Sequence, residues 1–377
     1  MTKMNRRNLL KTGGGLAAAS LFAPNLAFGQ AAGALTIGCA GPFTGPNAAF
    51  GEQLRRGANM AVADMNGAGG LLGRQLAVAF EDDASDPNQA RAAANRLAQR
   101  RVPFVLGHFN SSCSIPASEV YAEENILQIT PASTNPRLTD RGARFRNVFR
   151  TCGRDDQQGS IAGNWLAQRY AGKAVAVIHD KTTYGQGLAD ETKKAMTARG
   201  LTERLYDGVT VGDKDFTALI TRMKSLNVEA IYFGGLHTEA ALLVRQAREQ
   251  GLGAQLVSGD GIVSAEFATI AGRASDGVIM TFDSDPRKNP AAAEVVRRFA
   301  AQNYDPEGYT LLSYAAVQVF AEAAKRANGT ALNGLVGNMH GRSFDTVIGR
   351  LTYDNKGDLT QPNYVFYIWK DGKYAEM

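Results

Sequence analysis

Short apolar, β-branched runs alternate with stretches of helical spacing along nearly the whole chain. Leu35–Ala40 reads as a strand, followed by a polar, glycine-containing loop over Gly41–Gly51. Beyond it Leu54, Ala58, Ala61 and Met65 recur on one helix face, which predicts an amphipathic helix. The alternation continues with strand Gln75–Asp82, helix Asn88–Arg100, strand Phe104–Gly107, helix Ser112–Glu124, and strands Ile126–Thr130 and Asn147–Cys152. It then restarts: helix Asp156–Tyr170, strand Lys173–His179, helix Gly185–Arg199, strand Glu203–Val209, helix Phe216–Leu226, strand Glu229–Phe233 and helix Thr238–Gln250. Strand Gln255–Ser258, a short helix at Ala265–Ala271, strand Gly277–Phe282 and helices near Ala291–Gln302 and Leu311–Ala327 follow. The end is β-rich, over Val347–Tyr353 and Asn363–Trp369, with a turn at Asp354-Asn355-Lys356-Gly357.

Repeated β-α-β units of this size mean parallel sheets with helices on both faces. So many strands do not suit one sheet, and 377 residues are ample for two domains. The expected fold is therefore α/β, with two doubly wound lobes. No flexible linker separates them, which points to several strand crossovers rather than a tether.

Four of the five net positive charges lie in residues 1–30, on Lys3, Arg6, Arg7 and Lys11, where there is no acid. The remainder is nearly neutral, so the basic pI gives no support to nucleic-acid or membrane-surface binding. A positive stretch, a mildly apolar run over Leu16–Ala27 and small residues from Gly29 to Ala34 read as an export signal cleaved near Gly29 or Ala31. Arg6-Arg7 has the pattern of a twin-arginine signal, with general secretion as the alternative. The run is too short and too weakly apolar for a stable membrane span. Three cysteines allow at most one disulfide, Cys113–Cys152 being the least implausible pair; three buried thiols are the alternative. Cys39 follows Thr36-Ile37-Gly38 in a faint lipoprotein-like box, but inside a predicted strand it reads as core.

Open parallel sheets bind ligands beyond the carboxyl ends of their strands. The segments to inspect are Gly41–Gly51, His108–Ser114, Thr130–Asn135, His179–Tyr184, Gly234–His237 and Gly259–Gly261. Phe109-Asn110-Ser111-Ser112 offers hydroxyls and free N–H groups at a helix start, a carboxylate site; simple capping by Ser111 or Ser112 is the bland alternative. Two prolines shape Thr130–Pro136 and leave the Ala132 carbonyl and the Thr134 hydroxyl available, unless the loop is only a connection. Asp260 between two glycines can pair with an ammonium, or be a turn aspartate. Together the three segments suit a zwitterion. Catalysis has little behind it: His108, His179, His237 and His340 lack metal-ligand spacing, and Gly185-Gln186-Gly187 has Asp190 where a dinucleotide fingerprint needs glycine. A Ser111/His108/Asp260 triad can be written down, but no spacing supports it.

Four ordered motifs carry a resemblance: Phe104-Val-Leu-Gly-His-Phe-Asn-Ser-Ser, Ile129-Thr-Pro-Ala-Ser-Thr-Asn-Pro-Arg-Leu-Thr, His179-Asp-Lys-Thr-Thr-Tyr-Gly-Gln-Gly-Leu-Ala and Tyr353-Asp-Asn-Lys-Gly-Asp-Leu. They resemble the leucine/isoleucine/valine-binding proteins of bacterial ABC importers, with similarity from about Leu35 to Trp369. The resemblance implies a type I periplasmic binding fold, two lobes joined by a three-crossover hinge that closes on the ligand. It implies that Ser111 and Thr134 bind the ligand carboxylate. The Ala132 carbonyl, Thr134 and Asp260 would take the ammonium, and Phe50, Phe109, Asn110, Tyr184 and the Tyr309–Thr310 region would line the rest. Ser85 and Asn110 stand where that family has a cysteine bridge, Asp260 where it has glutamate, and Leu236 where it has tyrosine, so Leu236 reshapes the side-chain pocket.

The reading that follows is a periplasmic solute-binding protein, without enzymatic activity, cofactor, metal or nucleic-acid partner. It would capture a small neutral amino acid and hand it to the membrane permease of an ABC importer. Expected boundaries are an export signal at 1–30, lobe one at 33–152 plus 284–361, and lobe two at 153–283 plus 362–377. The rivals are a binder of another small acid such as an aromatic carboxylate, an amide or urea binder, or a soluble sensor of the same fold.

Overall fold

The computed structural model describes residues 33–361 and 363–377; the export signal expected at 1–30 lies outside them. In chain order, β1 (Leu35–Gly41), α1 (Ala48–Gly67), β2 (Leu76–Asp82), α2 (Pro87–Gln99), β3 (Phe104–Gly107), α3 (Ser111–Glu123), β4 (Leu127–Thr130) and β5 (Val148–Arg150) build a first, all-parallel sheet ordered β2-β1-β3-β4-β5. Next come α4 (Asp155–Arg169), β6 (Val175–His179), α5 (Thr183–Ala198), β7 (Leu205–Gly208), α6 (Thr217–Ser225), β8 (Ala230–Gly234), α7 (His237–Glu249), β9 (Gln255–Ser258), α8 (Ala265–Ala271) and β10 (Ile279–Asp283). The chain continues through α9 (Ala293–Ala300), α10 (Thr310–Ala327), α11 (Leu332–Gly337) and the hairpin β11 (Ser343–Thr346) and β12 (Gly349–Thr352). It ends in β13 (Tyr364–Lys370) and β14 (Lys373–Glu376), which complete a second sheet ordered β14-β13-β10-β9-β8-β6-β7.

Alternation along each strand assigns the layers. In β3, Phe104 and Leu106 join the core shared with Leu54 of α1, and Phe104 stacks on Phe320 of α10 with ring centroids 4.6 Å apart. Val105 turns the other way, to Leu97 of α2 and Val120 and Tyr121 of α3. Burial on both faces makes β3, β6 up to His179 and β8 almost wholly apolar, while β4 also buries Gln128 and Thr130. Strand order reverses between β1 and β3 in one sheet and between β6 and β8 in the other, so each has a crevice at its switch point.

Three features differ from the sequence reading. The Gly41–Gly51 loop is shorter, because α1 begins at Ala48 and takes Phe50 into its first turn. The second sheet is mixed, since β13 runs antiparallel to β10 and β14 antiparallel to β13. The segments α11, β11 and β14 lack strong periodicity and were not foreseen. Of the two readings open for the cysteines, the structure takes the buried thiols: Cys39, Cys113 and Cys152 are all free and buried, and no Cys113–Cys152 bridge forms.

His108 is a framework residue. Its Nδ1 lies 2.6 Å from Asp83 Oδ2 and its Nε2 2.9 Å from the Tyr121 hydroxyl, all three side chains fully buried. A carboxylate only accepts, so Nδ1 carries the proton toward Asp83 and the tyrosine donates to Nε2. With both ring nitrogens engaged, His108 has none left for Ser111. The Asp83 carboxylate also accepts from the Ser85 N–H at 2.9 Å. Asp83→Ala strands these donors and is expected to cost about 1–3 kcal/mol in urea unfolding, with an unchanged denaturant slope. Tyr121→Phe should cost less, because Nε2 loses one donor and nothing charged is exposed to an unpaired group.

Candidate functional site

At the first crevice, α3 starts at Ser111 with Asn110 in the capping position, and the Asn110 side chain makes no cap bond. Ser111 is therefore the first helical residue rather than the cap. The orphan N–H groups of the helix start, which carry its partial positive charge, remain for another partner. Ser111 is 1% exposed, and its Oγ accepts from the Asn135 N–H at 3.3 Å.

The β4–β5 loop is zipped to this helix start. Thr130 Oγ1 donates to the His108 carbonyl at 2.7 Å and accepts from the Ser133 N–H at 2.9 Å. Ser133 Oγ donates to the Phe109 carbonyl at 2.9 Å. These bonds hold Ala132 and Thr134 beside Ser111. The Thr134 hydroxyl is buried without a hydrogen-bond partner, and so is Asn110 Oδ1.

Asp260 follows β9 and is 1% exposed. Its Oδ1 accepts from the Tyr184 hydroxyl at 2.8 Å, and its main-chain carbonyl accepts from the Tyr309 hydroxyl at 3.0 Å. The same Tyr184 oxygen accepts from the Gly261 N–H at 2.9 Å. A Cβ at Gly261 would sit 2.3 Å from the Gly235 carbonyl oxygen, so only glycine allows this approach. Burial pushes Asp260 up to about 6, against the opposing pull of Tyr184, Tyr309 and Gln158.

Phe50, Phe109 and Tyr309 form an aromatic cluster on the first lobe. Phe50 stacks on Phe109 at 4.3 Å, and Tyr309 meets Phe109 edge-on at 5.3 Å. The Phe50 ring also meets His237 of the second lobe at 5.1 Å, and Asn135 Nδ2 donates to the Thr183 carbonyl at 2.8 Å. These contacts and the Tyr309–Asp260 bond bring the two lobes together around a narrow cavity of about 10 Å³, room for about one water molecule.

Seven of the ten residues singled out in the sequence line that cavity: Phe109, Asn110, Ser111, Ala132, Tyr184, Leu236 and Tyr309, with Gly261 completing the wall. Asp260 stands one hydrogen bond behind Tyr184, Phe50 lies behind Phe109, and Thr134 is buried next to the lining. Leu236, in the capping position of α7, supplies an apolar wall.

Sequence reasoning missed Asp155, the first residue of α4. Both its carboxylate oxygens are buried without a partner, and its N–H donates to the Thr134 carbonyl at 3.0 Å. Burial pushes this carboxyl well above its ordinary value; the nearby Thr134 hydroxyl opposes, though without hydrogen-bond geometry, and Asp260 adds to the rise. Arg154-Asp155-Asp156 looks like an ordinary acidic helix start facing water. The usable signal was position, because Asp155 lies just past the carboxyl end of β5. His237 ends the Gly234–His237 segment that the sequence marks as a strand-end loop, although no individual role was expected for it; its Nε2 lies 3.0 Å from Glu266 Oε2. Among the described residues no cluster of histidine, cysteine, aspartate or glutamate is placed to hold a metal, and no helix is long and apolar enough to cross a membrane.

The periplasmic binding protein family profile matches residues 34–373. The chain is 51% identical to the Leu/Ile/Val-binding protein homolog 1 of Brucella suis over 93% of this chain and 95% of that protein. It is 50% identical to an amino acid binding protein of Pseudomonas aeruginosa, over 91% of this chain and 92% of the other. The structure aligns with a TM-score of 0.82 to the branched-chain amino acid substrate-binding protein LivJ of Streptococcus pneumoniae in complex with isoleucine, at 26% identity over 90% of this chain and 97% of that one. With two doubly wound lobes about a three-crossover hinge, polar strand-end loops facing one cavity and a family match over nearly all its described length, this chain belongs to the periplasmic binding proteins, as a solute-binding protein of the type I fold.

Proposed function

We propose that the protein captures a neutral L-amino acid between its lobes and delivers it to the permease subunits of an ABC importer, without chemical change to the ligand. The observation that carries this reading is the pairing of two kinds of unanswered group at one cavity. The open start of α3 and Ser111 line it, and Asp155 and Asp260 are buried behind its wall with no salt-bridge partner, Asp155 beside Thr134. An ammonium answers two uncompensated carboxylates, and a carboxylate answers a helix start. Ser111 and Thr134 would hold the ligand carboxylate. The Ala132 carbonyl, Thr134 and Asp260 would hold the ammonium, with Asp155 as a further acceptor. Phe50, Phe109, Asn110, Tyr184, Leu236 and Tyr309 would enclose the side chain. The names of the Brucella and Pseudomonas relatives and the isoleucine of the pneumococcal one support the ligand class.

In this reading lobe one comprises 33–152 and 284–361 and lobe two 153–283 and 362–377, closing about the crossovers. The family's location is extracytoplasmic, and residues 1–30 would direct export, by the twin-arginine route if Arg6-Arg7 is recognised. An acid without an ammonium is the nearest rival, favoured by the aromatic lining; it would leave two carboxylates unpaired in the closed protein.

Two measurements test the assignment. A thermal-shift screen should find at least one neutral L-amino acid that stabilises the protein while its α-keto analogue does not. Calorimetric titration of that amino acid into Asp260→Asn should show a loss of about 2–5 kcal/mol, roughly thirty-fold to several-thousand-fold in affinity. Ser111→Ala should lose about 1–3 kcal/mol, because helix N–H groups still face the carboxylate. Undiminished binding by Asp260→Asn would mean that no ammonium sits there.

The pH dependence has a definite sign. Asp260 is raised to about 6 in the free protein, above its unfolded value of about 3.9. Its charge therefore costs stability above pH 6, and the free protein regains that stability as the pH falls from 6 toward 4. A bound ammonium favours the ionised form, so binding expels a proton below pH 6. Affinity for the amino acid should then drop as pH is lowered from 6 to 5, approaching about tenfold per unit. An ammonium-free acid would bind as well or better at the lower pH, since protonated Asp260 could donate to it.

A further inference from the structure

The Asp354–Asp358 turn lies outside the cavity lining, yet it anchors the loop that carries Ala132 and Thr134. Arg150, the last residue of β5, is fully buried. Its Nη1 donates to the Ser133 carbonyl and its Nη2 to the Asn135 carbonyl at 2.8 Å, so one guanidinium grips the carbonyls on both sides of Thr134. The carbonyl between them, that of Thr134, accepts from the Asp155 N–H. Three successive carbonyls are thus pinned, while the Thr134 hydroxyl stays unpartnered.

A buried guanidinium needs a counter-ion, and Asp358 supplies it, accepting from Arg150 Nε at 2.7 Å. Asp358 Oδ2 also accepts from Arg154 Nη1 at 2.5 Å, and both its oxygens lie 2.9 Å from Thr139 Oγ1. Arg154 in turn reaches Asp140 and Asp156, each at 2.9 Å. The turn itself is rigid: the Asp354 carboxylate accepts from the N–H groups of Lys356, Gly357 and Asp358 at 2.7, 3.0 and 3.0 Å. Gly357 has φ +97°, and a Cβ there would meet the Val148 carbonyl oxygen at 2.0 Å. Its own carbonyl accepts from the Arg150 N–H at 3.2 Å.

Buried ion pairs are poor stabilisers compared with apolar packing, and are better suited to fixing one conformation. We propose that Arg150 and Asp358 are positioning residues that preset the Ser133–Asn135 loop for ligand capture, and that Arg154 couples this clamp to the helix bearing Asp155. Arg154 follows the first sheet-to-sheet passage and Asp358 precedes the last, so the clamp also ties two of the crossovers together. The loop-presetting part follows from geometry alone; the effect on capture rests on the amino-acid reading above.

Hydrogen exchange of the unliganded protein and calorimetry with L-leucine test the two parts separately. Asp358→Asn removes the counter-ion and Arg150→Lys keeps the charge but loses the fork. Both should raise amide exchange over residues 131–139 by about tenfold relative to β1 and β3, and weaken L-leucine by about tenfold or more, mainly through faster dissociation. Should either variant fail to fold, the pair Arg154→Gln and Arg154→Lys decides, with the lysine restoring most of the lost affinity. Unchanged exchange over 131–139, or exchange raised evenly through the chain, would overturn the clamp. A loosened loop that binds L-leucine as the parent does would overturn its role in capture. A parent protein that binds neither L-leucine nor any other neutral amino acid would refute the functional reading, and the exchange result would still decide the clamp.

Discussion

A carboxylate withdrawn from water costs several kcal/mol unless donors or a cation take the place of its hydration. Asp155 and Asp260 are both withdrawn, each at the start of a helical segment that follows a strand, and Asp260 adds to the raised proton affinity of Asp155. Tyr184 meets one oxygen of Asp260, whereas the Asp155 oxygens meet none. The nearest guanidinium, Arg150, is already occupied by Asp358 and two carbonyls. The protein therefore buries two carboxyl groups that no cation of its own answers, and burial drives both toward the protonated form. Parting the lobes would readmit water, and a bound cation would make the closed form cheaper to hold.

The fold places that charge without special devices. Ser111, Asp155, Tyr184, Leu236 and Tyr309 all sit at or within one residue of a helix start, the first four on segments that follow strands of the two sheets. Such convergence follows from strand order reversal in each sheet. Partial positive charge from helix starts then surrounds a cavity that has two buried carboxyl groups behind its wall. A ligand with separated charges meets both, while a simple cation or anion meets only one.

Short buried runs made the parallel core legible: β3, β6 and β8 are largely apolar between glycine-containing loops, and strand ends pointed to most of the cavity wall. What escaped lacked such a signal. The segments α11, β11 and β14 are short and only partly buried, so tertiary packing rather than local pattern sets them. Phe50 moved from loop to helix because α1 starts earlier than its apolar stripe. Asp155 was hidden by its neighbours, since Arg154 and Asp156 are the charged, solvent-reaching residues that such a sequence ordinarily implies. The role of the Asp354–Asp358 turn could not be read locally either, because Asp358 meets Arg150 across 208 positions of sequence.

Head-group and side-chain recognition rest on different parts of this molecule. The polar loops are locked to one another by Thr130, Ser133 and Arg150, through main-chain groups that tolerate little movement. The apolar wall is made by Phe109, Leu236 and the ring of Tyr309, with Phe50 behind it; apart from the bond of the Tyr309 hydroxyl to the Asp260 carbonyl, its contacts are non-directional apolar surface. A change at Leu236 alters volume and dryness and leaves every hydrogen bond of the polar loops in place. Changes in Arg150 or Asp358 do the reverse, loosening the loops without touching the wall. The class of ligand head group is therefore the more tightly constrained property of this fold, and the choice among side chains the more easily varied one.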